Sequence, residues 1–178
     1  FENGADHWDS EAKLPAFRSG KIKRESIKYG DSSYYLGLVI NTRRPLLADR
    51  EMRKALLLAY DFEWVRRVLL NGHHGRLNSF FSNSEFAATG LPGPGERKLL
   101  ETVKDKVPPE VFTTPPSLPV GGTWDNRRAN LIKAAQILRN AGYRLVDGRL
   151  LDKRTGKPII LQLAAYSPLM DKQVSLFI

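Results

Sequence analysis

The clearest periodic pattern in the chain lies between Asp49 and Gly72, where apolar residues recur at helical spacing. Charged residues occupy much of the remaining surface of this segment. Asp49 is a suitable N-cap, and Gly72 is suited to a left-handed stop. The pattern predicts one amphipathic helix of about 22 residues. Its predicted buried stripe consists of Met52, Ala55, Leu56, Ala59, Phe62, Val65 and Leu69.

A second helical pattern begins after Asp125 or Asn126, either of which can cap it, and ends at Gly142. Its apolar stripe has the spacing i, i+3, i+4, i+7 and contains Leu131, Ala134, Ala135 and Leu138. Asp147-Gly148 then lies between two short apolar segments, 143–146 and 149–151. This arrangement predicts a tight β-hairpin.

Three further short segments are predicted strands, over residues 22–29, 34–41 and 159–165. Residues 34–41 are rich in aromatic and branched residues and end at turn residues, and residues 159–165 are entered through a turn at 155–158. Shorter helices are predicted over residues 10–18 and 96–106, and another begins near Leu169. The predicted fold class is therefore α/β, with a mixed sheet flanked by helices.

Residues 73–95 form a long connection rich in Gly, Ser, Asn and Pro, with Phe80, Phe81, Phe86 and Leu91 as predicted anchors. Loops of this length in compact domains are often functional. Residues 111–122 contain three prolines and two glycines, which exclude regular structure.

The formal net charge of +9 raises nucleic-acid binding as an alternative function. The basic residues are dispersed, however, and no basic run reaches five residues. A basic nucleic-acid-binding or regulatory domain with a solute-binding-like lobe therefore stays open as the second hypothesis, although no helix-turn-helix pattern supports it.

Catalytic patterns are scarce. The sequence contains no nucleophile elbow, Walker loop or His-Glu-x-x-His motif. It has no cysteine, and the adjacent His73 and His74 would point in opposite directions on an extended segment. Asp49 and Asp61 would lie about 18 Å apart on one helix, too far for an acid–base pair. We expect no enzyme activity, no cofactor and no metal site.

Aromatic residues near predicted strand ends and loops are more informative. Such side chains are commonly core residues, but beside a cleft they would suit an apolar pocket for peptide side chains. The residues concerned are Tyr34, Tyr35, Trp64, Phe80, Phe81, Trp124 and Tyr166.

One ordered run of residues resembles a known family. The run from Asn41 to Leu56 reads Asn-Thr-Arg-Arg-Pro-Leu-Leu-Ala-Asp-Arg-Glu-Met-Arg-Lys-Ala-Leu. It resembles the extracellular solute-binding proteins of family 5, the dipeptide, oligopeptide and nickel binders. The family's Arg-x-Ala-Leu and Ala-x-Asp positions are matched here by Arg53, Ala55, Leu56, Ala59 and Asp61.

The continuation of the chain is similar to the YejA-type branch of that family, which is associated with peptide and peptide-antibiotic uptake. The similar segments are Asp61-Phe62-Glu63-Trp64, Asn71-Gly72, residues 79–92, residues 108–112, and the helix and hairpin of residues 130–148.

The resemblance implies a type II periplasmic-binding-protein-like fold in which two lobes close on a ligand. Residues 1–178 would form the second, C-terminal lobe, truncated at both ends, since the chain opens without methionine and stops within an apolar stretch. It also implies a periplasmic or extracytoplasmic monomer that delivers a peptide-like solute to an ABC transporter permease. Nucleic acid is not an expected partner.

Polar and aromatic residues near strand ends and in the long loop are the predicted ligand contacts. Strand ends and loops supply the donors, acceptors and side-chain pockets that peptide recognition needs. The predicted ligand-binding residues are Tyr34, Tyr35, Asn41, Arg76, Asn78 and Ser79.

Overall fold

The computed structural model describes residues 13–23, 25, 27, 37–72, 74–165, 170–172 and 175. The chain divides into two compact units. Unit 1 contains residues 1–14, 38–74 and 119–178, and unit 2 contains residues 15–37 and 75–118. Each unit is described below by itself.

In unit 1, the long helix predicted from Asp49 to Gly72 is two helices. A single-turn helix α2 (Pro45–Ala48) precedes α3 (Arg50–Ala59), which is followed by α4 (Phe62–Val68). Asp49 caps α3 by accepting a hydrogen bond from Glu51 N at 2.9 Å. Asp61 caps α4 by accepting from Trp64 N at 3.0 Å. The continuous-helix prediction was wrong because Asp61 satisfies the first amides of a new helix.

Helix α6 (Trp124–Asn140) is the longest in the described part of the chain. Thr123 caps it, since its hydroxyl oxygen accepts from Asn126 N at 3.2 Å, so the cap lies two positions before the predicted Asp125. The helix ends as predicted at Gly142, whose φ of 91° lies in the left-handed region.

The core of unit 1 forms where α3 packs against α6. Its buried members are Ala55, Leu58 and Ala134, with Ile137 and Leu138 packed against them. Two predicted stripes therefore need correction. Ala59, Leu131 and Ala135 are exposed, whereas Leu58 and Leu70, outside the predicted stripe, are buried. The break before Asp61 changes which side chains face the core.

The predicted hairpin after α6 is confirmed as β1 (Arg144–Val146) and β2 (Arg149–Leu151). The strands are antiparallel, with Leu145 opposite Leu150. Asp147 and Gly148 both have positive φ, 48° and 75°, as a type I′ turn requires.

The second predicted turn, at residues 155–158, also forms. Asp152 N donates to Lys157 O at 2.8 Å, and the carboxylate of the buried Asp152 takes a bidentate hydrogen bond from Arg154. That guanidinium lowers the pKa of Asp152. Ile159 N then donates to Leu150 O at 2.8 Å.

The other strand predictions are not met in the described residues. Residues 37–41 and 160–165 belong to no strand, nor do residues 22, 23, 25 and 27. A strand exists only where a neighbouring backbone pairs with it, and apolar composition cannot supply that partner. The remaining residues of the segments 22–29 and 34–36 lie outside the described part. The sheet of the described residues is thus the two-stranded antiparallel hairpin, not a mixed sheet.

Unit 2 is built from short helices. Helix α1 (Pro15–Arg18) occupies the end of the helix predicted over residues 10–18. Helix α5 (Pro94–Glu101) begins two residues before its predicted start, where Glu96 Oε2 accepts from Gly93 N at 2.8 Å. Two 3₁₀ turns follow, Lys104–Lys106 and Pro109–Phe112.

Near the end of the chain, residues 170–172 are helical and residue 175 lies in a 3₁₀ turn. The other residues of the helix predicted from Leu169 lie outside the described part. Within the residues that the structure describes, no helix combines the length and apolar character needed to cross a membrane.

Candidate functional site

The six predicted ligand contacts lie in different parts of the chain. Tyr34 and Tyr35 lie outside the described residues. Asn41 belongs to unit 1, whereas Arg76, Asn78 and Ser79 lie together in the long loop of unit 2. In that loop Arg76 is half-buried and Asn78 is exposed.

Asn41 is a turn residue. Its side-chain oxygen accepts from Arg43 N at 3.1 Å, and its backbone carbonyl accepts from Arg44 N at 3.1 Å. This is the local Asx geometry by which asparagine directs a chain reversal. The carboxamide oxygen is therefore used in the turn, and the exposed NH₂ group is the part of Asn41 that can donate to a ligand.

Ser79 holds the long loop closed. Its hydroxyl oxygen accepts from Phe81 N at 3.2 Å and from Ala88 N at 3.1 Å, so it joins the two ends of residues 79–88. We call this segment the phenylalanine loop. The role of Ser79 in the structure is to organise this loop.

Two more serines fix the turns inside the phenylalanine loop. Ser82 Oγ donates to Ser79 O at 2.8 Å, and Ser84 Oγ donates to Phe81 O at 2.6 Å. Ser84 Oγ also accepts from Phe86 N at 3.3 Å. These bonds satisfy backbone groups that have no strand or helix to pair with.

The phenylalanine loop presents aromatic rings to its surroundings. Phe81 is 57% exposed and Phe86 is 72% exposed, and Phe80 is exposed as well. The rings of Phe81 and Phe86 meet edge to face with centroids 6.3 Å apart. The prediction that these residues anchor the loop was wrong, because their side chains point outward instead of packing into unit 2. An ordered pair of exposed rings is a surface for apolar groups.

A set of contacts that sequence reasoning missed ties α4 to the chain before α6. Asp61 Oδ1 accepts from Gly122 N at 2.8 Å, and Glu63 Oε2 accepts from Gly121 N at 2.8 Å. Arg67 donates from both terminal nitrogens to Gly122 O at 3.2 Å. We call these residues the glycine latch. The one local signal was the Gly-Gly pair directly before a helix.

Only glycine fits at the centre of the glycine latch. Gly121 is buried, and a Cβ atom there would overlap the carboxylate of Asp61. Gly122 has a φ of 82°, and a Cβ there would lie 2.9 Å from Glu63 Cβ. The latch fixes backbone position and offers no reactive group.

The most perturbed ionisable groups of the described residues also lie in unit 1. Tyr143 Oη donates to Asp49 Oδ2 at 2.9 Å, and Lys153 Nζ lies 2.6 Å from the same oxygen. The hydrogen bond from Lys153 lowers the pKa of Asp49 to about 2, against the opposing effect of burial. Burial, followed by the bond to Asp49, raises the pKa of Tyr143 to about 12.

The cluster formed by Asp49, Tyr143 and Lys153 has a structural role. Lys153 Nζ also lies 5.1 Å from the Tyr143 ring centroid, in a cation–π contact. Both pKa shifts move the groups away from neutral pH, the opposite of what general acid–base catalysis needs. Across the described part of the chain, no three His, Asp or Glu side chains converge in a group able to hold a metal ion.

Comparison with known proteins assigns the family. Residues 4–178 match the bacterial extracellular solute-binding proteins, family 5. The chain belongs to this family. The fold of this family 5 chain, over its described residues, consists of helices and a small sheet.

Several relatives match nearly all of this family 5 chain. It is 41% identical over 96% of its length to "Uncharacterized protein y4wM" of Sinorhizobium fredii. It is 35% identical over 97% of its length to "Probable peptide-binding protein YejA" of Agrobacterium fabrum. It is 30% identical over 93% of its length to "Peptidoglycan-binding protein YepA" of the same organism.

The two relatives named YejA, from Agrobacterium fabrum and Escherichia coli, confirm the resemblance to the YejA-type branch. In each case the match covers only part of the relative. The chain spans 26% of the Sinorhizobium protein, 28% of the Agrobacterium YejA protein and 27% of YepA. It therefore spans about a quarter of the length of these relatives.

Proposed function

We propose that this family 5 chain is part of the second lobe of a periplasmic, type II solute-binding protein that captures a peptide-like solute for an ABC transporter. On this proposal the protein is a monomer that binds and releases its cargo without chemical change, and its partner is a membrane permease. Family membership and the relative named as a probable peptide-binding protein support the binding role.

The phenylalanine loop is the observation that carries the proposal. Peptides need a surface that accepts apolar side chains and stands beside polar donors. Phe81 and Phe86 supply the apolar surface, and Asn78 supplies an exposed amide three residues before Phe81. The serine hydrogen bonds order this backbone before a ligand arrives, which reduces the entropy lost on binding.

The test is calorimetric titration of the full-length protein with candidate ligands. Short peptides and peptidoglycan fragments are used, because one relative is named a probable peptide-binding protein and another a peptidoglycan-binding protein. We expect saturable binding that changes little between low and moderate salt. Phe86→Ala should weaken it by about tenfold, the equivalent of one lost aromatic contact.

Leu99→Ala is the matched control, because Leu99 is also 72% exposed in unit 2 but lies in α5, outside the phenylalanine loop. We expect this variant to bind as the parent does. Equal affinity of both variants would remove the phenylalanine loop from the site. Failure to bind any peptide, together with salt-sensitive binding to DNA, would favour the nucleic-acid-binding or regulatory alternative.

A further inference from the structure

Helix α6 has three different faces. One packs against α3 through Ala134, Ile137 and Leu138. A second is exposed and largely polar. Its members are Asp125, Ala129, Lys133, Gln136 and Asn140. The third lines a shallow, open depression of about 390 Å³, which we call the groove. Its lining residues all lie on α6 and are Trp124, Arg127, Arg128, Leu131, Ile132 and Ala135.

The groove is apolar and uncovered by any described residue. Trp124 is 75% exposed and Ile132 is 52% exposed, and Leu131 between them is exposed as well. A surface helix of a globular protein normally carries one apolar stripe, which it buries. A second stripe on α6, with its tryptophan exposed, is typical of a contact surface.

Two arginines border this apolar surface. Neither the Arg127 nor the Arg128 side chain makes an ion pair or hydrogen bond with a described residue, and both are exposed. Guanidinium groups at the rim of an apolar groove favour a segment that brings carboxylates, which they can bind in bidentate fashion. The net charge of +9 over the 178 residues provides the same preference over a longer range.

We propose that the groove binds an apolar segment with flanking acidic residues from the same polypeptide, outside residues 1–178. The matched relatives are about four times as long as this chain, so a same-chain occupant has ample sequence to come from. Permanent interfaces are more apolar than transient ones. The exposed Trp124 with its aliphatic neighbours Leu131 and Ile132 therefore fits a permanent interface. This inference does not depend on the nature of the solute.

The experiment measures the reactivity of single introduced cysteines in the full-length protein. Residues 1–178 contain no cysteine, so Ile132→Cys and Gln136→Cys place one thiol each on the groove face and the polar face of α6. A charged, water-soluble maleimide is the probe, and the reaction of the unsubstituted protein is subtracted. We expect the thiol at position 132 to react at least about 50-fold more slowly than that at position 136, with equal rates after denaturation.

Charge reversal tests the acidic character of the occupant. Reversal of both arginines, Arg127→Glu with Arg128→Glu, should speed labelling at position 132 by about tenfold, because like charges then oppose the docked segment. Lys133→Glu on the polar face is the control and should leave that rate unchanged.

Three results would overturn the proposal. Equal rapid labelling at positions 132 and 136 would show an uncovered groove. Protection that disappears on dilution would assign the groove to a second copy of the protein. Protection that survives the double reversal unchanged would exclude an acidic occupant.

Discussion

The Tyr143 hydroxyl donates to Asp49 Oδ2 at 2.9 Å across 94 positions of sequence. This bond joins the residue that caps α3 to the residue that precedes the hairpin. Tyr143 is buried, and Lys153 approaches the same carboxylate from the turn after β2. A helix start, a strand start and a turn are thereby held at one carboxylate, which makes the stability of unit 1 sensitive to both extremes of pH.

The stability at alkaline pH tests the contribution of Tyr143. The folded pKa of Tyr143 is raised from 10.0 to about 12, so its contribution to stability is fully present below pH 10 and is lost as pH rises through 12. We expect the free energy of unfolding to decline over this range, and to decline less in Tyr143→Phe. Urea unfolding at a series of pH values measures the difference. Parallel curves for the two proteins, or a complete tyrosinate absorbance change by pH 11, would contradict the shift.

The stability at acid pH tests the contribution of the Asp49 carboxylate. The folded pKa of Asp49 is lowered from 3.8 to about 2, so its contribution is present above pH 4 and is lost as pH falls through 2. Asp49→Asn should flatten the loss of stability in this window while retaining a good N-cap residue. Asp125→Asn, which removes the same charge from the exposed first turn of α6, is the control. An unchanged slope in Asp49→Asn would contradict the role of the ion pair.

Substitution in the glycine latch tests close packing. Gly121→Ala should lower the free energy of unfolding by about 2 kcal/mol, because the new methyl group would displace the carboxylate of Asp61 from its two amide donors. Gly90→Ala is the control, since nothing lies within 4 Å of a Cβ at that position. Chemical denaturation of both variants measures the effect. Equal stability would show that the latch can shift without loss.

Removal of the Ser79 hydroxyl tests the loop. In Ser79→Ala the amides of Phe81 and Ala88 lose their acceptor, and each should exchange its hydrogen about tenfold faster. Ser79→Thr keeps a hydroxyl and should restore slow exchange, whereas Asn78→Ala should not alter it. If Ser79→Ala weakened ligand binding without faster exchange, direct ligand contact would be the better account of Ser79.

Local features were predictable wherever neighbouring residues satisfy the backbone. The cap at Asp49, the left-handed backbone at Gly72 and the Asp147-Gly148 hairpin were all predicted and are all present, although α4 already ends at Val68. Each depends on a φ preference or a hydrogen bond that spans a few residues. Such interactions are nearly independent of the rest of the fold.

The break between α3 and α4 was not predictable from periodicity. An apolar spacing that fits one long helix also fits two helices, and Asp61 has a partner in Gly122, 61 positions away, that no local pattern includes. The candidate site shows the same limit. The sequence singles out the loop containing Ser79 as a predicted ligand-binding segment, but the exposure of Phe81 and Phe86 depends on what the rest of unit 2 leaves open.

The sequence by itself determined the helix-forming segments, the turns, the family and the scarcity of catalytic motifs, because these depend on residue identity and short spacing. Tertiary structure alone decided which stripe of α6 is buried, why Gly121 must be glycine and how far the pKa of Asp49 falls. Burial and electrostatic interactions depend on groups that are distant in the chain and close in space, so the order of residues does not reveal them.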